Sequence, residues 1–401
     1  MKSSVVSKLT FGKIEVDVGL KTAMSMTPEQ ITDTMIESGL RGRGGGAFPV
    51  GRKWAVARDV AASKKYIICN AAEGEPGSFK DRAILSGYAQ LVFEGMTIAA
   101  LAVGAQRGIL YLRAEYAYMA GHLESVLAAR RKAGTLGHRV PGRDGFQFDI
   151  RIHIGEGAYV CGQETALIEF LEGHRGEPRN RPPYPAVSGY GGCPTVVQNV
   201  ETWAWVTCVL ARGARWFQAL GTPQSPGLKL FSVSGDCERP GVYEFQLGLS
   251  VAELLRVVGG EGAMGVQVGG ASGRMIPRAQ FERKIALEDL PYGGAVIILG
   301  PHRDILEVVH NYLKFFTRES CGQCTPCREG TSKLLNGVER LRNGTCTSGY
   351  LEQLISLGET IRITSKCGLG QSSPQAFLSV VKHYREKLMG RQSDFVERQL
   401  R

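Results

Sequence analysis

The sequence predicts a chain in three parts: an α/β layer fold over residues 1–225, a small α+β module over 226–302 and a C-terminal helical bundle over 303–401. Three observations carry this reading. Strand-like and helix-like apolar patterns alternate from Lys65 to Lys132, as they do where helices cover a sheet. The breaker-rich run Leu220-Gly-Thr-Pro-Gln-Ser-Pro-Gly227 separates that alternation from a set of short strands. From Asp304 to Arg318, apolar residues recur at 305, 308, 309, 312, 313 and 316, the spacing of an amphipathic helix.

Taken in order, Ile31 to Leu40 reads as a short helix leading into Arg41-Gly-Arg-Gly-Gly-Gly-Ala-Phe-Pro49. Glycines at 42, 44, 45 and 46 let backbone amides approach an anion closely, and Arg43 and Lys53 add positive charge for a phosphate. A structural turn would have the same composition. No strand precedes this loop and no G-K-[ST] ends it, so it is neither the dinucleotide fingerprint nor a P-loop. Lys65 to Asn70 is a buried-strand pattern that runs into the polar turn Ala71-Ala-Glu-Gly-Glu-Pro-Gly77. Ligands of open α/β sheets sit at such strand ends, although Glu73 and Glu75 would equally suit a solvated turn. Asp81 to Gly104 reads as a long helix, Gly108 to Arg113 as a strand and Tyr116 to Lys132 as a helix.

Phe148 to Ile154 alternates strictly, which puts 148, 150, 152 and 154 on one face and His153 on the other, as a surface residue. A second glycine-rich turn, Gly155 to Gly162, feeds a helix ending at Leu171, whose free amides suit a phosphate or a ring edge. Residues 179–201 read as an ordered proline- and glycine-rich loop, and Trp203 to Leu210 resumes helix. In the second part, Leu228 to Gly235 and Gly241 to Phe245 read as a hairpin. Ser250-Val-Ala-Glu253 is a capping box whose helix Gly259-Gly260 ends, and Val266–Val268 and Ala295–Leu299 complete a ββαββ-like module with a scaffold or docking role. Helices over 328–342, 350–361 and 374–388 join that of 304–318 in a four-helix bundle.

Composition narrows the function. With 43% hydrophobic and 21% charged residues over 401 positions, the chain can bury a large core. The first twenty residues lack an apolar run of signal-peptide type, and the apolar stretch Met96 to Ala105 is too short by itself to cross a bilayer, so a cytoplasmic location is expected. The net charge of +10 raises the question of nucleic acid. The basic residues are spread along the chain with no helix-turn-helix or ribonucleoprotein signature, so a basic face for acidic partner subunits, or a solvated one, is the better reading.

Of the ten cysteines, Cys321, Cys324 and Cys327 stand at C-x2-C-x2-C spacing and Cys367 follows later. Three thiolates spaced in this way bend around one corner of an inorganic cube and a distant fourth closes it, as in iron–sulfur proteins. Pro326 is expected to keep a helix from running through the loop. A structural zinc would favour two C-x2-C knuckles, and a disulfide is still less suited to a large chain with reduced, scattered thiols elsewhere.

The stretches Gly42–Trp54, Cys69–Arg82, Gly155–Leu171, Pro182–Glu201 and Glu319–Thr331 resemble the signatures of one family, over roughly residues 30–385. It is the flavoprotein subunit that carries FMN, the NADH site and a 4Fe-4S cluster in respiratory complex I. The same type of subunit is the diaphorase part of NAD-linked hydrogenases and formate dehydrogenases. Ser232 to Cys237 and Cys367-Gly-Leu-Gly370 look closer to the hydrogenase and formate dehydrogenase branch. The resemblance implies a Rossmann-like flavin domain, a ubiquitin-like β-grasp domain and a helical bundle carrying the cluster. It implies that Gly42, Arg43, Gly44, Lys53, Asn70, Glu73, Tyr159, Gly162, Gln163, Glu164, Gln198 and Asn199 surround the flavin. Phe48, Glu75, Arg181 and Tyr184 would line the NAD(H) site, with rings stacking on adenine and Glu75 accepting from ribose hydroxyls while repelling the extra phosphate of NADP. Cys321, Cys324, Cys327 and Cys367 would hold the iron.

Four positions depart from the family's commonest pattern. Ala72 and Gln163 replace acids, Gln198 replaces an Asn, and Val56 stands where a second stacking aromatic is expected. The loss of two carboxylates beside the flavin implies an altered potential. The implied function is hydride exchange between NAD(H) and FMN and single-electron exchange with the cluster. The implied partners are a thioredoxin-like 2Fe-2S subunit and further iron–sulfur and catalytic subunits of a hydrogenase, formate dehydrogenase or quinone-reducing complex. The alternative is a zinc-bearing structural or docking subunit without redox activity.

Overall fold

The computed structural model describes residues 9–399 apart from 139, 141 and 292. Helices α1 (Val18–Met24), α2 (Pro28–Glu37) and α3 (Val50–Asp59) precede strand β1 (Tyr66–Ala71). Then come α4 (Lys80–Val103), β2 (Arg107–Leu112), α5 (Ala120–Lys132), β3 (Asp149–Ile154), α6 (Glu164–Leu171), β4 (Thr195–Asn199), α7 (Val200–Arg212) and the short α8 (Ala214–Gln218). The four strands form one parallel sheet in the order β3-β2-β1-β4. Its core is built on α4 and α7. Residues 200–210 of α7 are all buried, as expected of a helix apolar around its whole circumference. Gly95 of α4 lets the two helices touch, since a Cβ there would stand 2.1 Å from the Trp203 carbonyl oxygen.

Two elements here differ from the sequence reading. Thr195–Asn199, read as part of a loop, is strand β4, whose five residues are masked by the prolines and glycines around them. The apolar run in α4 belongs to a 24-residue helix that is long and apolar enough to cross a membrane, but 78% of its most apolar window is buried inside the protein. Ile154 also leaves the apolar face of β3 and is 47% exposed, while His153 packs between Tyr111 and Phe170.

The second sheet contains β5 (Leu228–Gly235), β6 (Gly241–Gln246), β7 (Gly265–Val268), β8 (Arg274–Pro277) and β9 (Ala295–Leu299), in the order β6-β5-β9-β7-β8. β5 and β9 run parallel and the remaining pairs antiparallel. Helix α9 (Val251–Val258) opens on the expected Ser250/Glu253 capping box and closes at Gly259, whose φ of 70° is left-handed. β8 was absent from the sequence reading.

Helices α10 (Ile305–Glu319), α11 (Thr325–Arg342), α12 (Ser348–Thr364), α13 (Gly368–Ser372) and α14 (Gln375–Gln399) follow. Their shared core of Leu313, Leu334, Val338, Leu354, Phe377 and Val380 includes Met275 and Leu299 from the second sheet. Pro326 does not bar a helix. It occupies the first turn of α11, where a missing N–H costs nothing, so Cys327 is already helical.

Beneath the first sheet's carboxyl end lies a buried ionic network. Glu201 Oε2 is 3.0 Å from Lys80 Nζ and 3.3 Å from Lys229 Nζ, and all three side chains are at most 3% exposed. Glu201 Oε1 accepts from Leu230 N at 2.8 Å and Trp205 Nε1 at 3.2 Å. Lys80 also donates to Asp81 at 2.6 Å and to Asn199 Oδ1 at 3.0 Å. Burial opposes charge on Glu201, but the ammonium groups of Lys229 and Lys80 outweigh it and hold the carboxyl at about 2. Glu201→Ala would leave two lysines without the carboxylate they share. The expected loss is about 3–5 kcal/mol, read from the denaturant midpoint at unchanged slope. A loss under about 0.5 kcal/mol would show that the network does not brace the fold.

Candidate cofactor and cluster sites

The chain leaves β1 toward β2 and β3 on one side and returns to place β4 on the other, so the strand order reverses between β1 and β4. A crevice opens outside the carboxyl ends of strands at such a point. Asn70 and Asn199 mark it. Asn70 Nδ2 donates to Gly162 O at 2.8 Å, and its Oδ1 accepts from Ala72 N at 3.1 Å. Asn199 caps α7 through Glu201 N at 3.1 Å and donates to Asp81 at 2.6 Å.

The glycine-rich loop stands over Asn199. A Cβ on Gly44 would come within 2.9 Å of Asn199 Cβ, while Gly45, with a φ of +115°, and Gly46 face open space. Among the described residues, no protein acceptor takes the N–H groups of Gly44, Gly45 or Gly46. Three successive unsatisfied amides form an anion-binding concavity. Gly42 closes the loop by donating its N–H to Phe48 O at 2.9 Å.

Lys53 Nζ lies 2.8 Å from Glu164 Oε2 and 3.1 Å from Val197 O. Arg181 Nη1 is 3.7 Å from the other Glu164 oxygen, and its guanidinium lies 5.6 Å from the Tyr184 ring centroid. The rings of Phe48 and Tyr184 are each 55% exposed, and Val56 is 45% exposed. Gln198 is buried and its Oε1 has no partner among the described residues. Unsatisfied amides, an orphaned amide oxygen and a paired lysine fit a phosphate-bearing group with a polar ring.

Three of the side chains expected around the flavin already have partners within the protein. Arg43 does not face the loop's opening. The residue is 1% exposed, and its guanidinium donates to Pro226 O at 2.9 Å and lies over Phe217. The side chain beside the glycines thus turns inward to brace the approach to β5. Gln163 spends its Oε1 on Thr165 N at 2.9 Å and Ala166 N at 2.8 Å, so the amides opening α6 are partly satisfied from within. Glu73 is buried rather than solvated. It accepts from Asp81 N at 2.9 Å, Arg82 N at 3.0 Å, Ser78 Oγ and Tyr116 OH, and so caps α4. Burial and the Asp81 carboxylate push its pKa up.

Glu75 is bound more tightly than expected of a residue waiting for ribose. Its Oε1 accepts from Ser272 N at 3.0 Å, and its Oε2 from Tyr159 OH at 2.7 Å and Ser272 Oγ at 2.5 Å. Burial raises its pKa while these donors oppose the rise. Ser272 comes from the second sheet's module, which therefore touches the site. The Tyr159 ring meets Phe315 and Phe316 of α10 edge-on at 5.0 and 6.1 Å, and its N–H donates to Glu319 at 3.0 Å.

Cys321, Cys324, Cys327 and Cys367 line one pocket with Ser320, Lys366 and Leu369, beside the same aromatic cluster. Cys324 caps α11, Cys327 lies in its first turn, and Cys367 caps α13. Among the described residues, only Glu169, Glu172 and His174 bring three ligand atoms within 4.8 Å of one another. There Arg179 already bridges the two carboxylates. No three of the cysteine sulfurs come that close, whereas a tetrahedral zinc with Zn–S near 2.3 Å needs sulfurs about 3.8 Å apart. Burial, then the neighbouring cysteines, push the Cys327 thiol up to about 11 against a hydrogen bond from Ser320. Four clustered thiolates require a multiply positive partner to offset their charge, as an iron–sulfur core supplies.

Sequence reasoning missed Ser272, Lys80, Glu201, Lys229, Phe315 and Glu319. Ser272 lies in Gly269-Gly-Ala-Ser-Gly273, which reads as a plain turn, and Lys229 lies in a strand pattern that would place it in water. The doublet Lys80-Asp81 at the start of a long apolar helix was the one usable signal.

The Nuo51 FMN-binding domain family matches residues 35–208, and the NADH-ubiquinone oxidoreductase-F iron-sulfur binding region matches residues 307–391. The chain is 47% identical to the NAD-reducing hydrogenase HoxS subunit alpha of Cupriavidus necator, covering 94% of this chain and 62% of that one. It is 40% identical to the NADP-reducing hydrogenase subunit HndC of Solidesulfovibrio fructosivorans, over 90% of this chain and 76% of the relative. It is 36% identical to the mitochondrial NADH dehydrogenase (ubiquinone) flavoprotein 1 of Dictyostelium discoideum, over 94% and 81%. A crystal structure of an NAD+-reducing [NiFe]-hydrogenase in the H2-reduced state superposes with a TM-score of 0.88 at 41% identity, covering 95% of this chain and 66% of that one.

Cys324→Ser is expected to lose most protein-bound iron while retaining its flavin. Iron per chain equal to that of the wild type would remove Cys324 from the ligand set.

Proposed function

We propose, for a chain that belongs to the 51 kDa-type flavoprotein family with its FMN-binding and 4Fe-4S-binding regions, that it exchanges electrons with NAD(H) as the diaphorase subunit of a larger assembly. The observation that carries the proposal is Tyr159. One side chain joins the Glu75 turn of the crevice to the aromatic wall of the cysteine pocket, which supports two redox groups placed side by side.

When bound, FMN exchanges hydride with the nicotinamide and single electrons with the iron–sulfur group. The protein's part is to bind and orient. The amides of Gly44 to Gly46, with the Lys53 ammonium, would hold the flavin phosphate. Asn70, Gly162, Gln198 and Asn199 would border the ring, and Glu164 would set the local charge through its pairs with Lys53 and Arg181. Phe48 and Tyr184 would flank the adenine, with Arg181 seated on Tyr184. Glu75 would take ribose hydroxyls in place of one or more of its present donors and disfavour a 2′-phosphate. No side chain is required as a general base, because position and electrostatics suffice.

The strand orders support the finer domain reading. The order 3-2-1-4 agrees with a Rossmann-like flavin domain. In the second module the order is 2-1-5-3-4, counted within it, with its first and last strands parallel, which agrees with a β-grasp. The net charge of +10 suits docking on more acidic subunits. These would be a thioredoxin-like 2Fe-2S subunit, then a hydrogenase, formate dehydrogenase or quinone-reducing partner.

The decisive measurement is the ultraviolet–visible spectrum of anaerobically purified protein. Flavin bands over a broad iron–sulfur shoulder, bleached by NADH, are expected, and a colourless preparation would end the proposal. Tyr184→Ala removes a ring contact worth about 0.5–1.5 kcal/mol. It is expected to raise the KM for NADH roughly threefold to tenfold with kcat little changed, and an unchanged KM would place the adenine elsewhere.

A further inference from the structure

The cysteine pocket contains a polar side chain that the ligand assignment leaves unused. Ser320 ends α10, and its Oγ lies 3.3 Å from Cys327 Sγ. The surroundings of the hydroxyl decide which atom donates. Ser320 Oγ accepts the N–H of Gly322 at 3.3 Å, so one lone pair is engaged there and the hydroxyl proton is available for another direction. Cys327 bound to iron is a thiolate and has no proton to give. The hydroxyl is then the donor and the sulfur the acceptor, a charge-assisted hydrogen bond.

The local backbone holds this arrangement from both sides. Ser320 N donates to Phe316 O at 3.0 Å, which fixes the residue as the end of α10. Gly322 has a φ of +79°, a conformation side-chain-bearing residues rarely adopt, and it turns the amide back toward Ser320. Arg328 Nη1 donates to Gly322 O at 2.6 Å and pins the turn. On the other side, Cys327 sits in the first turn of α11, where Thr331 Oγ1 donates to its carbonyl at 2.8 Å. Neither partner needs to move for the O–H to point at the sulfur.

We propose that Ser320 is a tuning residue, whose hydroxyl hydrogen bond to Cys327 Sγ raises the reduction potential of the cluster held by Cys321, Cys324, Cys327 and Cys367. The inference rests on the cluster reading given above. One electron entering the site adds negative charge, part of which falls on the thiolate sulfurs. An O–H dipole aimed at Cys327 Sγ stabilises the reduced state more than the oxidised one, and the proton stays on the serine oxygen throughout. Ser320 thus helps the site to accept electrons without being a ligand.

The test uses the full-length holoprotein, purified anaerobically, with iron analysis and a redox titration followed by electron paramagnetic resonance. Wild type is compared with Ser320→Ala, Ser320→Gly and Ser320→Thr. Wild-type protein without iron would end the cluster reading itself, before any variant is considered. With the cluster present, the two hydroxyl-free variants are expected to keep wild-type iron and shift the midpoint to lower potential, while Ser320→Thr stays at the wild-type value. A midpoint unchanged in an iron-replete hydroxyl-free variant overturns the proposal. A fall in Ser320→Thr as large as that in Ser320→Ala does the same. Loss of iron from both hydroxyl-free variants also overturns it, because the hydroxyl would then serve assembly rather than potential.

Discussion

The carboxylate of Glu201 is the fixed point on which the site geometry depends. It sits in the first turn of α7, directly after the strand end that borders the crevice, and two lysines from different parts of the chain converge on it. Lys80 opens α4 and Lys229 lies on β5, so one buried anion ties the floor of the crevice to the helix beside it and to the neighbouring module. Asn199 and Asp81 extend the same network to the side chains that face the crevice. A charge at this depth is tolerated only because every oxygen is occupied, and that occupancy leaves little freedom for the strand ends to shift.

From that base the molecule brings three segments of the chain to one place. The first sheet supplies Glu75 and Tyr159, the second module supplies Ser272, and α10 supplies Phe315, Phe316 and Glu319. Tyr159 is the junction. Its hydroxyl lies in the polar half of the interface, its ring lies in the apolar half, and its backbone is held from α10. Lys229 donates to the Arg43 carbonyl, and the Arg43 side chain reaches Pro226, so the loop that offers amides to an anion is anchored on the β5 side as well.

Much of this was legible in the sequence, and the failures have physical causes. β1, β2, α4 and α10 repeat their apolar residues at clean strand or helix periods, so pattern alone located them. The cysteine spacing marked one pocket because local chain geometry restricts where thiols two residues apart can point. β4 was lost among prolines and glycines that belong to its flanks. Glu73 looked solvated because nothing in Ala-Glu-Gly-Glu-Pro tells that Tyr116, forty-odd residues later, closes over it. Lys229 defied the alternation rule because its counter-charge comes from α7. For Glu73 and Lys229 the deciding neighbour is distant in sequence, which is the information a local pattern lacks.

Helix α4 has a consequence for how the chain is made. Its partner α7 begins nearly a hundred residues after α4 ends. At about 5–20 residues per second, the ribosome leaves α4 without its most extensive partner for roughly 5–20 seconds. During that interval a helix long and apolar enough to cross a membrane lacks the partner that buries most of it. Slowing translation between the two helices lengthens the time α4 waits for α7.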